Sequence, residues 1–74
     1  MEDKVLGIIN FIRISKDLEP LTSLCYSDNL RSHIGFTSFD LAELTVRIED
    51  EFDVDVFENG LVETVGEVFE KLSK

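Results

Sequence analysis

The chain has 74 residues, of which 43% are hydrophobic and 31% are charged, a balance typical of one small globular domain. A domain of this size buries only a modest core, which argues against an enzyme with its own deep cleft. The net charge is −9, and residues 38–74 hold eleven acidic side chains against three basic ones. Such a surface repels phosphate backbones and anionic membranes, so the composition argues against nucleic-acid and membrane binding and favours basic protein partners.

The cysteine content and the N-terminus favour a cytoplasmic protein. Cys25 is the only cysteine and His33 the only histidine, too few for an internal disulfide or a zinc site. We expect Cys25, which lies among apolar residues, to be a buried, inert thiol, and His33 to lie in a surface loop. Because there is neither a secretory signal nor a long apolar run, we expect a complete soluble protein. The length leaves room for one domain, residues 1–74, which we expect to be a monomer.

The first predicted helix covers residues 3–15, where Val5, Ile8, Ile9 and Ile12 recur at helical spacing and form one apolar stripe.

A long connection is predicted for residues 16–36, which contain the only proline, Pro20, and many small polar residues. A short helical turn is expected near Ser27–Leu30. The apolar residues expected to hold this loop on the helices are Leu18, Leu21, Leu24, Tyr26, Leu30 and Ile34.

Residues 38–52 carry the strongest helix signal. Thr37 and Asp40 have the spacing of a capping box, and either Thr37 or Ser38 can cap the helix start. The apolar stripe of this helix consists of Leu41, Leu44, Ile48 and Phe52. Its opposite face carries Asp40, Glu43, Arg47, Asp50 and Glu51.

The last helix is predicted over residues 65–72, since Thr64 and Glu67 form a capping box. Before it, residues 53–57 are expected to form an extended link and residues 58–62 a short helical turn. The apolar stripe of the last helix consists of Val65, Val68, Phe69 and Leu72. The residues expected to form the shared core are Leu44, Ile48, Phe52, Val56, Val65 and Phe69. The fold class predicted is all-α, a small three- to four-helix antiparallel bundle with a long first loop.

No enzyme motif is evident, so we expect no catalytic residue and no metal ligand. The spacing of Asp53, Asp55 and Glu58 is similar to the start of a calcium loop, but Glu58 stands where such a loop needs glycine. A small calcium-binding helical protein nevertheless remains an alternative.

Ser38 opens the second helix, and a lone Ser at this place is usually only a cap. Its surroundings indicate more. Residues 34–44, IGFTSFDLAEL, resemble the signature of the acyl carrier protein family, in which Leu-Gly-x-Asp-Ser-Leu opens the second helix. The resemblance continues in residues 48–52, IEDEF, and in residues 64–67, TVGE.

The resemblance implies a 4′-phosphopantetheine arm joined covalently to Ser38 through a phosphodiester, carrying an acyl or aminoacyl group as a thioester. A helix N-terminus suits that anion. The implied partners are a phosphopantetheinyl transferase that brings coenzyme A and a metal ion, an acyl- or aminoacyl-activating ligase, and condensing or transferring enzymes of fatty-acid or polyketide biosynthesis. The chain itself would then be a carrier and not an enzyme.

The resemblance also implies that basic patches of partner enzymes dock on the second helix. The predicted partner-binding residues are Phe39, Asp40, Glu43, Val46, Arg47, Glu49, Asp50 and Glu51. Phe39 and Val46, seven residues apart, would supply apolar contact inside a charged rim, and Arg47 would modify partner choice. The alternative is that these acidic residues only solvate an exposed helix face.

Three positions depart from the family pattern. Thr37 stands where Asp is usual, Phe39 replaces Leu, and Phe57 replaces a common Pro, while the segment before Thr64 is slightly short. These departures favour a specialised carrier. The alternative function is an unmodified acidic helical module for protein–protein interaction.

Overall fold

The computed structural model describes residues 2–58, 60 and 62–73. Its three α-helices are α1 (Glu2–Ser15), α2 (Ser38–Phe52) and α3 (Val65–Leu72). The described residues form no strand, and the one isolated antiparallel bridge joins Asn29 to Thr64. The all-α prediction is therefore confirmed, and α2 and α3 have the predicted bounds. None of these helices combines the length and apolar character that crossing a membrane requires.

The core is apolar throughout, since no polar or charged residue among those described is buried. The buried core residues are Val5, Ile9, Ile12, Leu30, Ile34, Phe36, Leu41, Leu44, Ile48, Val56, Val62, Val65, Val68 and Phe69. All three predicted stripes contribute, although Ile8, Phe52 and Leu72 are only partly buried at the margin of the core. Phe36 and Val62 are buried loop residues that the helical spacing did not predict.

The long loop leaves α1 through a left-handed turn at Asp17, whose φ is 63°. The N–H of Leu18 donates to the carbonyl of Arg13 at 2.9 Å, and the N–H of Asp17 donates to that of Ile14 at 3.0 Å. This pair of bonds is a Schellman motif, which ends the helix and reverses the chain.

Polar side chains of α1 hold the long loop in place. The Asn10 amide donates to the carbonyl of Leu21 at 2.8 Å and accepts from its N–H at 2.7 Å. Arg13 donates to the carbonyls of Glu19 and Ile34. The loop is thus held by hydrogen bonds to its backbone as well as by the apolar contacts that the sequence predicted. Of those apolar residues, Leu30 and Ile34 are buried, Leu21 and Leu24 pack against the core, and Tyr26 is 58% exposed.

Two loop predictions are wrong. The helical turn expected near Ser27–Leu30 lies further along the chain, at residues 30–33, where the N–H of His33 donates to the carbonyl of Asn29 at 2.9 Å. Cys25 is exposed and not buried. Its apolar neighbours misled the prediction, because a loop has no helical or strand period that fixes which side chains face inward.

The segment between α2 and α3 has no regular structure at residues 54–55, turns at residues 56–58, and is anchored by Val56, which is buried as predicted. The extended link predicted over residues 53–57 is wrong at both ends, because Asp53 is left-handed with φ 59° and the turn begins at Val56. The turn predicted over residues 58–62 lies partly outside the described residues.

Candidate functional site

The start of α2 is built around a capping box. Thr37 is extended, with φ −89° and ψ 178°, and its hydroxyl oxygen accepts from the N–H of Asp40 at 3.3 Å. In return the Asp40 carboxylate accepts from the N–H of Thr37 at 2.8 Å. Thr37 is therefore the cap, and Ser38 is the first residue of the helix. The Ser38 hydroxyl is consequently not used in capping.

The Ser38 side chain is exposed. Arg31 donates a guanidinium hydrogen bond to its hydroxyl oxygen at 2.8 Å. Within the described part of the chain, the N–H groups of Ser38 and Phe39 have no protein acceptor. The free N–H groups of a first helical turn suit an anion. A recess of about 240 Å³ adjoins the hydroxyl and is lined by Arg31, Ser38, Leu41, Ala42 and Phe57.

Gly35 sets the position of this helix start. Its φ is +88°, a left-handed conformation that side chains other than glycine rarely adopt. The two neighbours of Gly35, Ile34 and Phe36, are both buried, and the N–H of Phe36 donates to the carbonyl of Leu30 at 2.9 Å. The chain therefore enters α2 between two fixed core residues, which places Ser38 at the surface.

Asp40 has a structural role in addition to the partner-binding role predicted for it. Its carboxylate pairs with the Lys16 ammonium, which also donates to the carbonyl of Gly35 at 2.9 Å. The Asp40 side chain is only 13% exposed. Partial burial alone would raise the pKa of Asp40, but hydrogen bonds from Lys16 and from the backbone and hydroxyl of Thr37 outweigh it, so this pKa lies below its usual value. The negative charge of Asp40, two residues after Ser38, is thus offset by Lys16 within the protein.

The remaining predicted partner-binding residues lie on the outer side of α2. Phe39 is 89% exposed and Val46 is 67% exposed. We call these two side chains, together with the exposed acidic residues Glu49, Asp50 and Glu51, the outer surface of α2. Large apolar side chains with this exposure, surrounded by charges, are typical of a protein-binding surface.

Arg47 is tied to its surroundings. It donates to the Glu43 carboxylate at 2.8 Å, one helical turn away, and its guanidinium lies 4.1 Å from the ring centroid of Phe11 on α1. Its charge is therefore largely offset by Glu43, and its side chain links the two helices.

No three His, Cys, Asp or Glu side chains converge on a possible metal position anywhere in residues 2–58, 60 and 62–73. The Asp55 carboxylate instead accepts from the N–H of Phe57 at 3.0 Å and stabilises a turn. His33 is exposed, as predicted for a loop histidine, and its Nδ1 accepts from the N–H of Asn29 at 2.7 Å.

Comparison with known families agrees with this geometry. The family model described as PP-binding, phosphopantetheine attachment site, matches residues 13–69, about three quarters of the chain, including the start of α2 and most of α3. No curated protein and no solved structure matches significantly. The chain belongs to this family of acyl-carrier-like domains, which attach 4′-phosphopantetheine covalently and act as carriers of that arm. Domains of the family are generally non-catalytic.

The residues at the start of α2 fit this group. An exposed hydroxyl, a guanidinium in contact with it and two free N–H groups suit a phosphodiester anion. The sequence motif predicted Ser38 as the attachment residue but did not single out Arg31 or Lys16. A signal for Arg31 was present, because it is the only Lys or Arg between Lys16 and Arg47 in an acidic chain.

Proposed function

We propose that Ser38 is the attachment residue and that the chain delivers acyl or aminoacyl groups, held as thioesters on the arm, to biosynthetic enzymes. The supporting observation is that the adjacent hydroxyls of Thr37 and Ser38 have different roles. Thr37 caps the helix, so the neighbouring Ser38 hydroxyl stays exposed beside Arg31. A transferase can reach this oxygen without breaking the cap.

Loading would proceed by a balanced phosphoryl transfer with coenzyme A as donor. The Ser38 oxygen forms a bond to the phosphorus that bears the pantetheine, and the pyrophosphate P–O bond breaks. The leaving group is 3′,5′-ADP, and the hydroxyl proton passes to a base of the transferase. When bound, the arm would supply a terminal thiol that can be acylated by an activated donor such as an acyl adenylate, with release of AMP. In these steps the carrier positions the hydroxyl and accommodates the anion.

The outer surface of α2 is proposed as the docking site for basic partner enzymes. The last turn of α2 has no basic residue but does carry Glu49, Asp50 and Glu51. Acidic side chains there interact unfavourably with the helix dipole, so they lower the stability of α2. A long-range field that steers basic partners is a function these charges can serve, with Phe39 and Val46 giving the apolar contact.

The attachment site is tested by the intact mass of the protein after incubation with coenzyme A, magnesium and a broad-specificity phosphopantetheinyl transferase. We expect wild-type protein to gain the mass of one arm and Ser38→Ala to gain none. Ser32→Ala, which alters an exposed loop serine, is the matched control and should load like wild type. Failure of the wild type with several transferases would reject the carrier function and favour the unmodified acidic interaction module.

The docking site is tested by the same substitution at two places. Glu49→Lys alters the outer surface of α2, whereas Glu19→Lys makes the same charge change in the exposed part of the long loop. We expect the transferase KM to rise roughly three- to tenfold for the first variant only, and the gap to shrink at high salt. Equal KM values would mean that the acidic residues of α2 only solvate its face.

A further inference from the structure

Arg31 is held in place beside Ser38 by the turn that carries it. The N–H groups of Arg31 and Ser32 both donate to the side-chain oxygen of Asn29, at 2.8 and 3.0 Å. The preceding residue, Leu30, is fully buried and its N–H donates to the carbonyl of Glu63 at 2.8 Å. The backbone beneath the guanidinium is therefore fixed from two sides, which reduces the entropy lost when Arg31 binds a ligand.

Among the described residues, no carboxylate pairs with Arg31. The ion pairs found within the described residues involve Lys4, Lys16 and Arg47. A guanidinium has five N–H donors, and the contact with Ser38 uses one of its groups. In a chain with a net charge of −9, an arginine that contacts a neutral hydroxyl in place of a carboxylate retains capacity for an anion.

We propose that Arg31 binds the phosphodiester once the arm is attached, and that it directs the first part of the arm over the recess beside Ser38. This proposal rests on the proposed attachment at Ser38. The non-bridging oxygens of the phosphate are bonded to the phosphorus that Ser38 Oγ would carry. A guanidinium that already reaches Oγ can reach these oxygens by a small side-chain rotation. The neutral hydrogen bond is then replaced by charge-assisted ones, and the fork geometry of arginine suits two phosphate oxygens.

The recess beside Ser38 suits the part of the arm next to the phosphate. Besides Arg31 and Ser38, its lining consists of the side chains of Leu41, Ala42 and Phe57, which are all apolar. The arm continues from its phosphate into a segment bearing two methyl groups, so this segment meets apolar side chains. Arg31 at one edge of the recess would thereby select the direction in which the arm leaves Ser38.

Thermal unfolding of apo and holo forms tests the proposal. The quantity of interest is the change in Tm on loading, compared between wild type and Arg31→Gln at low salt. The matched control is Lys4→Gln, which removes the same charge. The partner of Lys4 is Glu51, about 20 Å along α2 from Ser38 at 1.5 Å per residue. The ³¹P resonance of each holo protein gives a second reading, and circular dichroism of the apo forms verifies folding.

We expect the change in Tm on loading to be roughly 2–4 °C more favourable in wild type than in Arg31→Gln, the size expected for one exposed charge-assisted contact in a domain of this length. Lys4→Gln should match wild type, and the difference should shrink near 1 M salt. The ³¹P resonance should move in Arg31→Gln and Arg31→Lys but not in Lys4→Gln. Normal loading with equal Tm changes and unmoved resonances would overturn the role of Arg31 alone. Absence of loading in every protein would instead reject the attachment at Ser38, and the proposal with it.

Discussion

Helices α2 and α3 begin with the same capping motif but differ in how the rest of the protein contacts their first N–H groups. Each starts with a threonine cap and an acidic residue three positions later, and each capping box has both of its hydrogen bonds. In α3 the next two N–H groups are covered by the long loop: Val65 donates to the carbonyl of Asp28 at 3.0 Å, and Gly66 to that of Tyr26 at 2.8 Å.

At α2 the corresponding N–H groups, those of Ser38 and Phe39, have no acceptor within the described residues. The nearest loop side chain there, Arg31, contacts the Ser38 hydroxyl and leaves the backbone free. The starts of α2 and α3 also differ in charge, because Arg31 adds a positive charge at the start of α2. A capping motif thus predicts where a helix begins, but the loop that lies beside it decides whether the start is structural or available to a ligand.

The packing of the long loop against the start of α3 depends on Gly66. We expect the largest change in stability when this packing is disrupted. A β-carbon at this position would lie 2.9 Å from the backbone carbonyl oxygen of Tyr26, which cannot move without displacing the loop. We expect Gly66→Ala to lower the free energy of unfolding by about 1–3 kcal/mol, measured by urea denaturation.

Gly7→Ala is the matched control, since a β-carbon at Gly7 in α1 meets no atom within 4 Å beyond its chain neighbours and the backbone of its own helix. Removing a glycine from a helix interior there should raise the free energy of unfolding by up to about 1 kcal/mol. Opposite signs for one substitution would confirm that the loop packs against α3 at Gly66. A neutral or stabilising Gly66→Ala would show that this contact is not tight.

The open start of α2 carries a charge pair that should make stability depend on pH. Because the pKa of Asp40 is lowered in the folded protein, its contribution is fully present above the unfolded value of about 3.9 and is lost as pH falls through the lower folded value. We expect Asp40→Asn to cost about 0.5–1 kcal/mol at pH 7. The difference in free energy of unfolding between Asp40→Asn and wild type should disappear below about pH 4.

A double-mutant cycle with Lys16→Gln isolates the pair. In the Lys16→Gln background, Asp40→Asn should cost clearly less than in wild type, since the ammonium that stabilises the carboxylate is gone. A gap that persists at low pH, or full additivity of the two substitutions, would contradict the assigned cause.

The C-terminal ends of α2 and α3 also differ, and we expect the smallest change in stability there. Helix α3 has Lys71 in its last turn, whereas α2 has no basic residue there and is followed by the C-cap residue Asp53, whose φ is 59°. Glycine tolerates this conformation better, and losing the acid removes an unfavourable charge at a helix C-terminus. We expect Asp53→Gly to raise the free energy of unfolding by about 0.5–1 kcal/mol, measured by thermal denaturation.

Asp17→Gly makes the same change at the end of α1, where φ is 63° but Arg13 and Lys16 are near in sequence. Asp53→Gly should stabilise more than Asp17→Gly at low salt, and the two should converge at high salt as repulsion among the acidic residues is screened. Added salt should also raise the Tm of the wild type. If the difference in stability gain between Asp53→Gly and Asp17→Gly does not change with salt, the stabilisation would come from relief of backbone strain alone.

The sequence predicted the helices well because their signals are local. The spacing of Leu41, Leu44 and Ile48 and the two capping boxes lie within a few residues of the structure they determine. The loop was harder, because Asn10 and Arg13 bind backbone carbonyls, which every residue possesses, so no residue pattern marks their targets. The exposure of Cys25 was predicted wrongly because a loop has no helical or strand period that fixes which side chains face inward.

The same distinction between local and long-range signals applies to the candidate site. Ser38 could be proposed from the sequence because a contiguous motif surrounds it. Arg31 was missed because its contact depends on the path of the turn that carries it. Asp40 was assigned only to partner binding, since its pairing with Lys16 joins residues 24 positions apart and leaves no trace in the spacing of α2. The proposed docking role of Phe39 and its acidic neighbours remains a prediction.

The hydrogen bonds between the long loop and the start of α3 have a consequence for local unfolding. Helix α3 has only eight residues, too few to be stable as an isolated helix in water. If the bonds made by Leu30, Val65 and Gly66 open, α3 should therefore lose its helical structure and not swing away as a rigid rod. Amide hydrogen exchange should then show these three protons and those of α3 exchanging as one cooperative unit, while α1 and α2 stay protected.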